Sequence, residues 1–232
     1  MYLLSFRDIK DFIRHLYTTI VYIRKSEHYA KMGKHCIVQP NSTLVPQFMY
    51  LDDYTIIQDQ TNFISNKGKL IVKKYSVISS GCIIVPNSHQ LTVGIPFYLS
   101  TRNHINDRNE GIIVEEDCWV GAGCILLPGC HIGRGAVIGA GSVVKNDIPP
   151  YAVAVGTPAK IIAAKFSVEQ ILEHESILYP VEERLSKNEI EMLFTKYYYG
   201  MKSIGTNTLS VKEKELLEEA RKSIGLKDYS CQ

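Results

Sequence analysis

No stretch of about 18 uncharged apolar residues occurs in the 232-residue chain, which excludes a membrane-spanning helix. No Cys-x-x-Cys pair occurs among its six cysteines, so the usual zinc-ribbon and thioredoxin-like spacings are missing. A strong charge of one sign is missing too: 26 Lys and Arg face 24 Asp and Glu, a net +2 with a pI near 8.1. Recognition of a phosphate backbone needs a concentrated basic surface, so nucleic acid is not an expected partner. The N-terminal run MYLLSFRDIKDFIRHLY lacks the apolar core of a signal peptide, because Arg7, Asp8 and Lys10 interrupt it, and the chain reads as cytoplasmic. What is present is apolar. At 45% hydrophobic the chain is not disordered, and its length suits one large domain or one domain with an appendage.

The apolar residues recur at an unusual interval. From Val114 to Pro149 the chain divides without a slip into VEEDCW, VGAGCI, LLPGCH, IGRGAV, IGAGSV and VKNDIP. Each block opens on an aliphatic residue (Val114, Val120, Leu126, Ile132, Ile138, Val144). A small residue follows four places later in all but the last: Cys118, Cys124, Cys130, Ala136 and Ser142. Helices repeat near 3.6 and strands at 2, and neither produces this pattern. Upstream, VKKYSV, ISSGCI and IVPNSH repeat it with Val72, Ile78 and Ile84 and with Ser76, Cys82 and Ser88. Further back come Met32 and Val38 with Cys36 and Ser42, and then weaker blocks YLDDYT and IIQDQT. A shift of register between Asn62 and Val72, at Gly68, predicts a bulged turn. One large and one small inward residue per block describe a short strand plus a corner, and three such units make a triangular coil. Coils of this kind bury their faces only by stacking. Glycines at 121, 123, 129, 133, 135, 139 and 141 suit the corners.

The run WVGAGCILLPGCHIGRGAVIGAGSVVKNDIPPYAVAVGTPAKII resembles the terminal coils of the hexapeptide-repeat acyltransferases, in particular the galactoside, maltose and xenobiotic acetyltransferase branch. The resemblance covers about residues 30 to 165. It implies an all-β solenoid, a left-handed parallel β-helix; the handedness comes from the resemblance and not from the period.

Three other segments flank or interrupt the repeat. Residues 1–30 place Ile9, Phe12, Ile13, Leu16 and Ile20 at helical spacing, which predicts a helical cap over the open end of the coil. A membrane-surface helix is the rival reading, given Arg7, Lys10, Arg14, Arg24 and Lys25, with Asp8 and Asp11 diluting the basic face. Within the β-helical domain, 31–165, the stretch 90–111 carries Pro96, Arg102, Asp107 and Arg108 where core residues should stand, and reads as an excursion loop. Residues 166–232 form a helical extension: Ser167 with Gln170 and Ser210 with Glu213 suit capping boxes, and Tyr179-Pro180 breaks the first helix. Such an extension packs against the β-helix or a neighbouring chain, or helps to bind an acceptor.

Among seven histidines, His89 stands out because it closes IVPNSH directly before the loop. Moving an acetyl group from a thioester to a hydroxyl requires a base on the attacking oxygen, and a histidine suits that task. The resemblance places the catalytic histidine at this juncture, so it implies His89 as the general base; without it, a lone histidine at a strand end reads as structural. His104 lies in TRNHINDRNEG, where it is read either as an acceptor contact or as ordinary loop surface, and a loop carboxylate is a candidate to orient a histidine. His131 is read as a surface or interface residue, and His35 as an early corner.

The resemblance further implies acetyl-CoA as donor, its pantetheine arm lying along small corner residues: Ala122 and Gly123 in WVGAG, Ala140 and Gly141 in GAGS. The coil demands small residues at the same places, and both readings hold for one residue. Lys145 and Lys160 stand where the family places coenzyme-contacting residues. The chain departs from the family in its Lys145-Asn146 order and in Ala163, where a second arginine is common. On the acceptor side Lys67 stands where sugar-binding relatives carry an aspartate, leaving Asp59 and Asn62 as weak acceptor candidates that also read as a solvated face.

The expectation is an acetyl-CoA-dependent O-acetyltransferase acting on a sugar or glycan precursor, homotrimeric, cytoplasmic, transferring directly with neither metal nor acyl-enzyme. N-acetylation of an amino-sugar nucleotide is the alternative. A metal-dependent hydratase and a non-catalytic trimeric scaffold are further readings from other classes; the first lacks a clustered histidine pair beside His89. Cys36, Cys82, Cys118, Cys124 and Cys130 fall on the small inward position and are expected as buried small hydrophobes. The last three, six apart, sit on successive faces, too distant for a disulfide or shared metal, and Cys231 alone is left as a reactive thiol.

Overall fold

The computed structural model describes residues 9–10, 12–14, 16–17, 21 and 25–230. Short strands follow one another in the order β1 (Lys31–Met32), β2 (Ile37–Val38), β3 (Met49–Leu51), β4 (Ile56–Ile57), β5 (Asn62–Phe63), β6 (Leu70–Val72), β7 (Val77–Ile78) and β8 (Ile83–Ile84). A two-strand interruption, β9 (Ser88–His89) and β10 (Asp107–Arg108), holds helix α1 (Phe97–Asn103) between its arms. The coil resumes with β11 (Ile112–Val114), β12 (Trp119–Val120), β13 (Ile125–Leu126), β14 (His131–Ile132), β15 (Val137–Ile138) and β16 (Val143–Val144), and closes with β17 (Ala152–Val155) and β18 (Lys160–Ala164).

These strands form three sheets that the chain visits in turn. The first is β1-β3-β6-β11-β14, the second β2-β4-β7-β12-β15-β17-β18, the third β5-β8-β13-β16. Every pairing within them is parallel except β17 with β18. Successive coils are held by ladder bonds such as Ile83 N–H to Cys124 O at 2.9 Å and Ile125 N–H to Ser142 O at 2.8 Å. The aliphatic openers of the repeat point inward. Ile78, Ile84, Val114, Val120, Leu126, Ile132, Ile138 and Val144 are all fully buried.

Two details of the register differ from the sequence reading. In the weak blocks the inward residues are Leu51 and Ile57, one place after the expected Tyr50 and Ile56, and the small buried residues are Thr55 and Thr61. The extra residue is absorbed by a 3-10 turn at Pro46–Phe48, so the pattern is intact but displaced. The second slip falls where it was expected, between Phe63 and Leu70. There Gly68 is required by close approach, since a Cβ would lie 2.7 Å from the Pro86 carbonyl oxygen.

Cys82, Cys118, Cys124 and Cys130 are buried in the core as expected, and Cys36 is partly buried. Burial pushes the thiols of Cys118 and Cys130 up to about 12, which leaves them protonated and inert. The Cys82 and Cys124 thiols donate to carbonyls of the coil, Gly121 O at 3.4 Å and Gly139 O at 3.2 Å. Cys231 lies outside the described residues.

The helical extension covers one corner of the triangle. Helix α2 (Val168–Leu178), helix α3 (Lys187–Leu193) with a π-helical turn at Phe194–Tyr198, and helix α4 (Val211–Ile224) follow the coil. The boxes at Ser167/Gln170 and Ser210/Glu213 are present, and a third at Ser186/Glu189 joins them. Helix α2 stops before Tyr179-Pro180, as the proline demands. The corner between the first and second sheets carries residues in the left-handed conformation, among them His35, Tyr54 and Tyr75. Their rings stack along the edge, His35 on Tyr54 at 5.0 Å and Tyr54 on Tyr75 at 5.6 Å, and Tyr179 of the extension continues the row at 6.4 Å. Glu175 of α2 is buried against the coil, accepting from Arg134 at 3.0 Å and Tyr151 Oη at 2.6 Å. Asp117 accepts from Lys165 at 2.6 Å and binds His174 of α2 at 3.0 Å.

Toward the N-terminus, Ile9, Phe12, Ile13 and Leu16 are helical and 45%, 64%, 59% and 46% exposed. Ile20 lies outside the described residues. Among the described residues no helix is long and apolar enough to cross a membrane.

Candidate active site

The third sheet ends at two corners, and the candidate residues divide between them. One corner, between the third sheet and the first, is where the chain leaves the coil after β8. Instead of re-entering the first sheet it forms a small antiparallel ladder, with His89 of β9 directly opposite Asp107 of β10 and Ser88 opposite Arg108. The loop expected over 90–111 therefore has an ordered base that starts at Ser88, and α1 stiffens its middle. The helix ends at His104, whose left-handed conformation (φ 51) lets its N–H bond Ser100 O. Cross-strand placement is what brings an imidazole and a carboxylate 18 positions apart into contact.

His89 Nδ1 lies 2.6 Å from Asp107 Oδ1. The other carboxylate oxygen, Oδ2, accepts from Asn66 Nδ2 at 2.7 Å and lies 2.9 Å from His104 Nδ1. Asp107 is buried with its side chain 5% exposed, while His89 is 28% and His104 54% exposed. Burial opposes ionisation of Asp107, yet the bonds from His89, Asn66 and His104 outweigh it and hold the carboxyl below the ordinary Asp range. An ionised carboxylate has no proton to give, so His89 Nδ1 must be the donor. The proton-free nitrogen of neutral His89 is then Nε2, a lone pair available to take a proton.

Neither Asp107 nor Asn66 stood out in the sequence. Asp107 has no periodic neighbour to mark it, although a loop carboxylate orienting a histidine was foreseeable. The only trace of Asn66 is its place in the register slip before Gly68, beside the conspicuous Lys67. His104 joins the cluster through Asp107. Beside it, Leu91, Val93 and Phe97 of the loop are exposed and line a cavity of about 280 Å³ with Gln90, Thr92 and Ser100.

The other corner, between the second and third sheets, carries Ala122, Gly123, Ala140 and Gly141 one coil above another. Gly141 N–H donates to Ala122 O at 2.8 Å and Gly123 N–H to Ser80 O at 2.9 Å. Those two amides are thus used by the coil itself; what the corner offers outward is its small profile, with Ala122, Gly123 and Gly141 exposed. Asp59 belongs to this corner and not to the histidine cluster, accepting from Ser80 Oγ at 2.6 Å. Asn62 lies between the corners, on β5, paired with Ile83. Lys145 is exposed on the His89 side two coils further on, and Lys160 is exposed at the start of β18. His131, on the outer face of β14, binds Glu115 at 2.7 Å and is half exposed, as a surface residue should be.

The architecture is thus a three-sided parallel coil of six-residue units, interrupted once to set a buried carboxylate against a histidine. The family model described as bacterial transferase hexapeptide (six repeats) matches residues 111–146. Galactoside O-acetyltransferase of Escherichia coli (strain K12) is 32% identical over 137 residues, covering 59% of this chain and 64% of that enzyme. Chloramphenicol acetyltransferase of Morganella morganii is 30% identical over 148 residues, covering 57% of this chain and 70% of that enzyme. The crystal structure of a hexapeptide-repeat-containing acetyltransferase from Vibrio cholerae, complexed with acetyl coenzyme A, superposes with a TM-score of 0.57 at 21% identity, over 72% of this chain and 94% of the other. The chain belongs to the hexapeptide-repeat acyltransferase family. Its match to the galactoside enzyme stops short of two thirds of that enzyme's length.

Proposed function

We propose that the protein is an acetyl-CoA-dependent O-acetyltransferase that acylates a hydroxyl of a sugar or glycan precursor, built on the family's left-handed β-helix. The observation that carries this reading is the 2.6 Å bond between His89 Nδ1 and buried Asp107. In the proposed mechanism His89 Nε2 removes the proton of the acceptor hydroxyl as its oxygen attacks the thioester carbonyl. Asp107 stabilises the imidazolium that results and keeps the ring in its working tautomer. The tetrahedral intermediate collapses by breaking the carbon–sulfur bond, and the departing thiolate of coenzyme A recovers the proton from His89. The buried, protonated thiols of Cys118 and Cys130 are unsuited to carry an acyl group, and Cys124 is fully buried, which supports direct transfer.

Ala122, Gly123, Ala140 and Gly141 are proposed to receive the pantetheine arm, and Lys145 and Lys160 its phosphates. In one chain the small-residue corner and the His89 corner are a full side of the triangle apart, up to roughly 20 Å for six extended residues. A homotrimer in which the small-residue corner of one chain faces the His89 corner of the next closes that distance, each chain giving and receiving once. The outer face of the second sheet supports such packing, for Ile37 and Trp119 are 52% and 56% exposed there. Sedimentation equilibrium of the full chain is expected to return three copies; a stable monomer with full activity refutes the shared site.

Thiol release from acetyl-CoA, measured against free and nucleotide-activated sugars bearing hydroxyl or amino groups, tests the reaction itself. Turnover is expected with hydroxyl acceptors. Turnover only with amino sugars replaces the reading by N-acetylation.

A further inference from the structure

The His89–Asp107 pair accounts for one oxygen of the carboxylate; the other is occupied as well, from two separate elements. Asn66, in the turn between β5 and β6, places Nδ2 at 2.7 Å from Asp107 Oδ2. His104, at the end of α1, places Nδ1 at 2.9 Å from the same oxygen. Asn66 Nδ2 and His104 Nδ1 are themselves 2.8 Å apart, a contact whose roles follow the His104 tautomer; facing the ionised Oδ2, Nδ1 carries its proton and both groups donate to that oxygen. The amide orientation of Asn66 follows from charge: reversed, it would set its oxygen against the carboxylate. As placed, Asn66 Oδ1 is buried and accepts nothing, so the side chain's one hydrogen-bonding task is donation.

We propose that Asn66 and His104 are positioning residues that clamp Oδ2 of Asp107 and thereby hold Oδ1 on His89 Nδ1. The inference rests on His89 as the base, and it assigns His104 to the carboxylate instead of to the acceptor. A carboxylate gripped at one oxygen from the coil and from the loop cannot rotate about its terminal torsion, which is otherwise soft. Its second oxygen therefore stays on the imidazole. The clamp also joins two parts of the chain, the turn between β5 and β6 and the end of α1, at one carboxylate oxygen.

The backbone at His104 allows a clean test because it is left-handed, a conformation that glycine and asparagine both accept. His104→Gly removes the donor without straining the chain, and His104→Asn restores an N–H near the place of Nδ1. Asn66→Ala removes the second donor and breaks no accepted bond. For His104→Gly and for Asn66→Ala, kcat is expected to fall about tenfold with the KM for acetyl-CoA unchanged, the effect of losing one hydrogen bond to a charged group. His104→Asn is expected to recover most of that loss. Long-range proton–nitrogen NMR spectra of the ring nitrogens read the same event without turnover. His89 is expected in the Nδ1–H tautomer in the parent and in His104→Asn, and as a mixture of tautomers in His104→Gly. Equal kcat in His104→Gly and His104→Asn, or a His89 tautomer unchanged in both His104→Gly and Asn66→Ala, overturns the clamp. His89→Gln in the same series separates the two ideas. If it remains active the base assignment fails, whereas an inactive His89→Gln beside an unaffected His104→Gly removes the clamp alone.

Discussion

Replacing His89 by glutamine is expected to lower kcat by roughly 10²- to 10⁴-fold, the usual contribution of a positioned general base, and to leave acetyl-CoA binding in place. The size follows from the chemistry. An alcohol is a poor nucleophile until its proton is taken, and glutamine has no nitrogen lone pair to take it. Coenzyme binding is spared because His89 is assigned the acceptor proton, whereas the arm and phosphates of the coenzyme are assigned to Ala122, Gly123, Ala140, Gly141, Lys145 and Lys160. Asp107→Asn should also be severe, for a different reason. The carboxylate accepts from donors on both oxygens, and an amide group there sets an N–H against an N–H on one side whichever way it turns. Because His89 and Asp107 act as a unit, the double variant is expected to be no slower than His89→Gln alone. Single-turnover measurement of thiol release, with coenzyme affinity followed by calorimetry, checks all three. A double variant markedly slower than the single shows that Asp107 has a second, independent role.

The largest stability effect is expected at Glu175. Its carboxylate is buried and accepts from Arg134, from Tyr151 Oη and from Leu185 N–H at 3.0, 2.6 and 3.0 Å. Glu175→Ala leaves a guanidinium, a hydroxyl and a backbone donor without their acceptor. Breaking one side of a buried pair costs about 3 to 5 kcal/mol. The damage should be local first: α2 comes away from the corner between the first and second sheets, and with it the contact of Tyr179 along the tyrosine row. Limited proteolysis is expected to cut between residues 166 and 230 at a lower protease concentration than in the parent, and the denaturant midpoint should fall. Converting both partners, Arg134→Met with Glu175→Leu, should recover part of the loss, since neither member of that pair is then left without the other, although Glu116 loses its 3.3 Å contact with Arg134. Tyr151 and Leu185 still lack an acceptor, so the recovery is incomplete. Full stability in Glu175→Ala shows that the extension is held by its other contacts, the Asp117–His174 bond among them.

The uneven legibility of this chain has a physical origin. A repeat in which every sixth side chain is fully buried leaves a mark at every coil, so the run from Val114 to Val144 could be read strand by strand, and the small inward position predicted the burial of Cys118, Cys124 and Cys130. Where a single residue is inserted, as at Pro46–Phe48, the mark is displaced and Tyr50 is mistaken for Leu51. His89 could be picked out because it closes a regular block. Asp107 and Asn66 could not, since their roles depend on a hairpin and a turn that no period announces. The extension is intermediate: the boxes at Ser167 and Ser210 are local and were visible, the one at Ser186 was passed over, and the corner it covers depends on Glu175 meeting Arg134, 41 residues earlier.

By itself, then, the sequence determined the three-sided coil, its apolar interior, the neighbourhood of the interruption and the starts of the helices capped by Ser167 and Ser210, because each of these is set by residues a few places apart. Only the tertiary structure decided what surrounds the histidine. An antiparallel ladder of two residues carries Asp107 to His89, a turn from the preceding coil supplies Asn66, and a left-handed helix end delivers His104. Those contacts join segments separated by up to 41 positions, and side-chain geometry across such distances is a property of the packed chain and not of any local pattern.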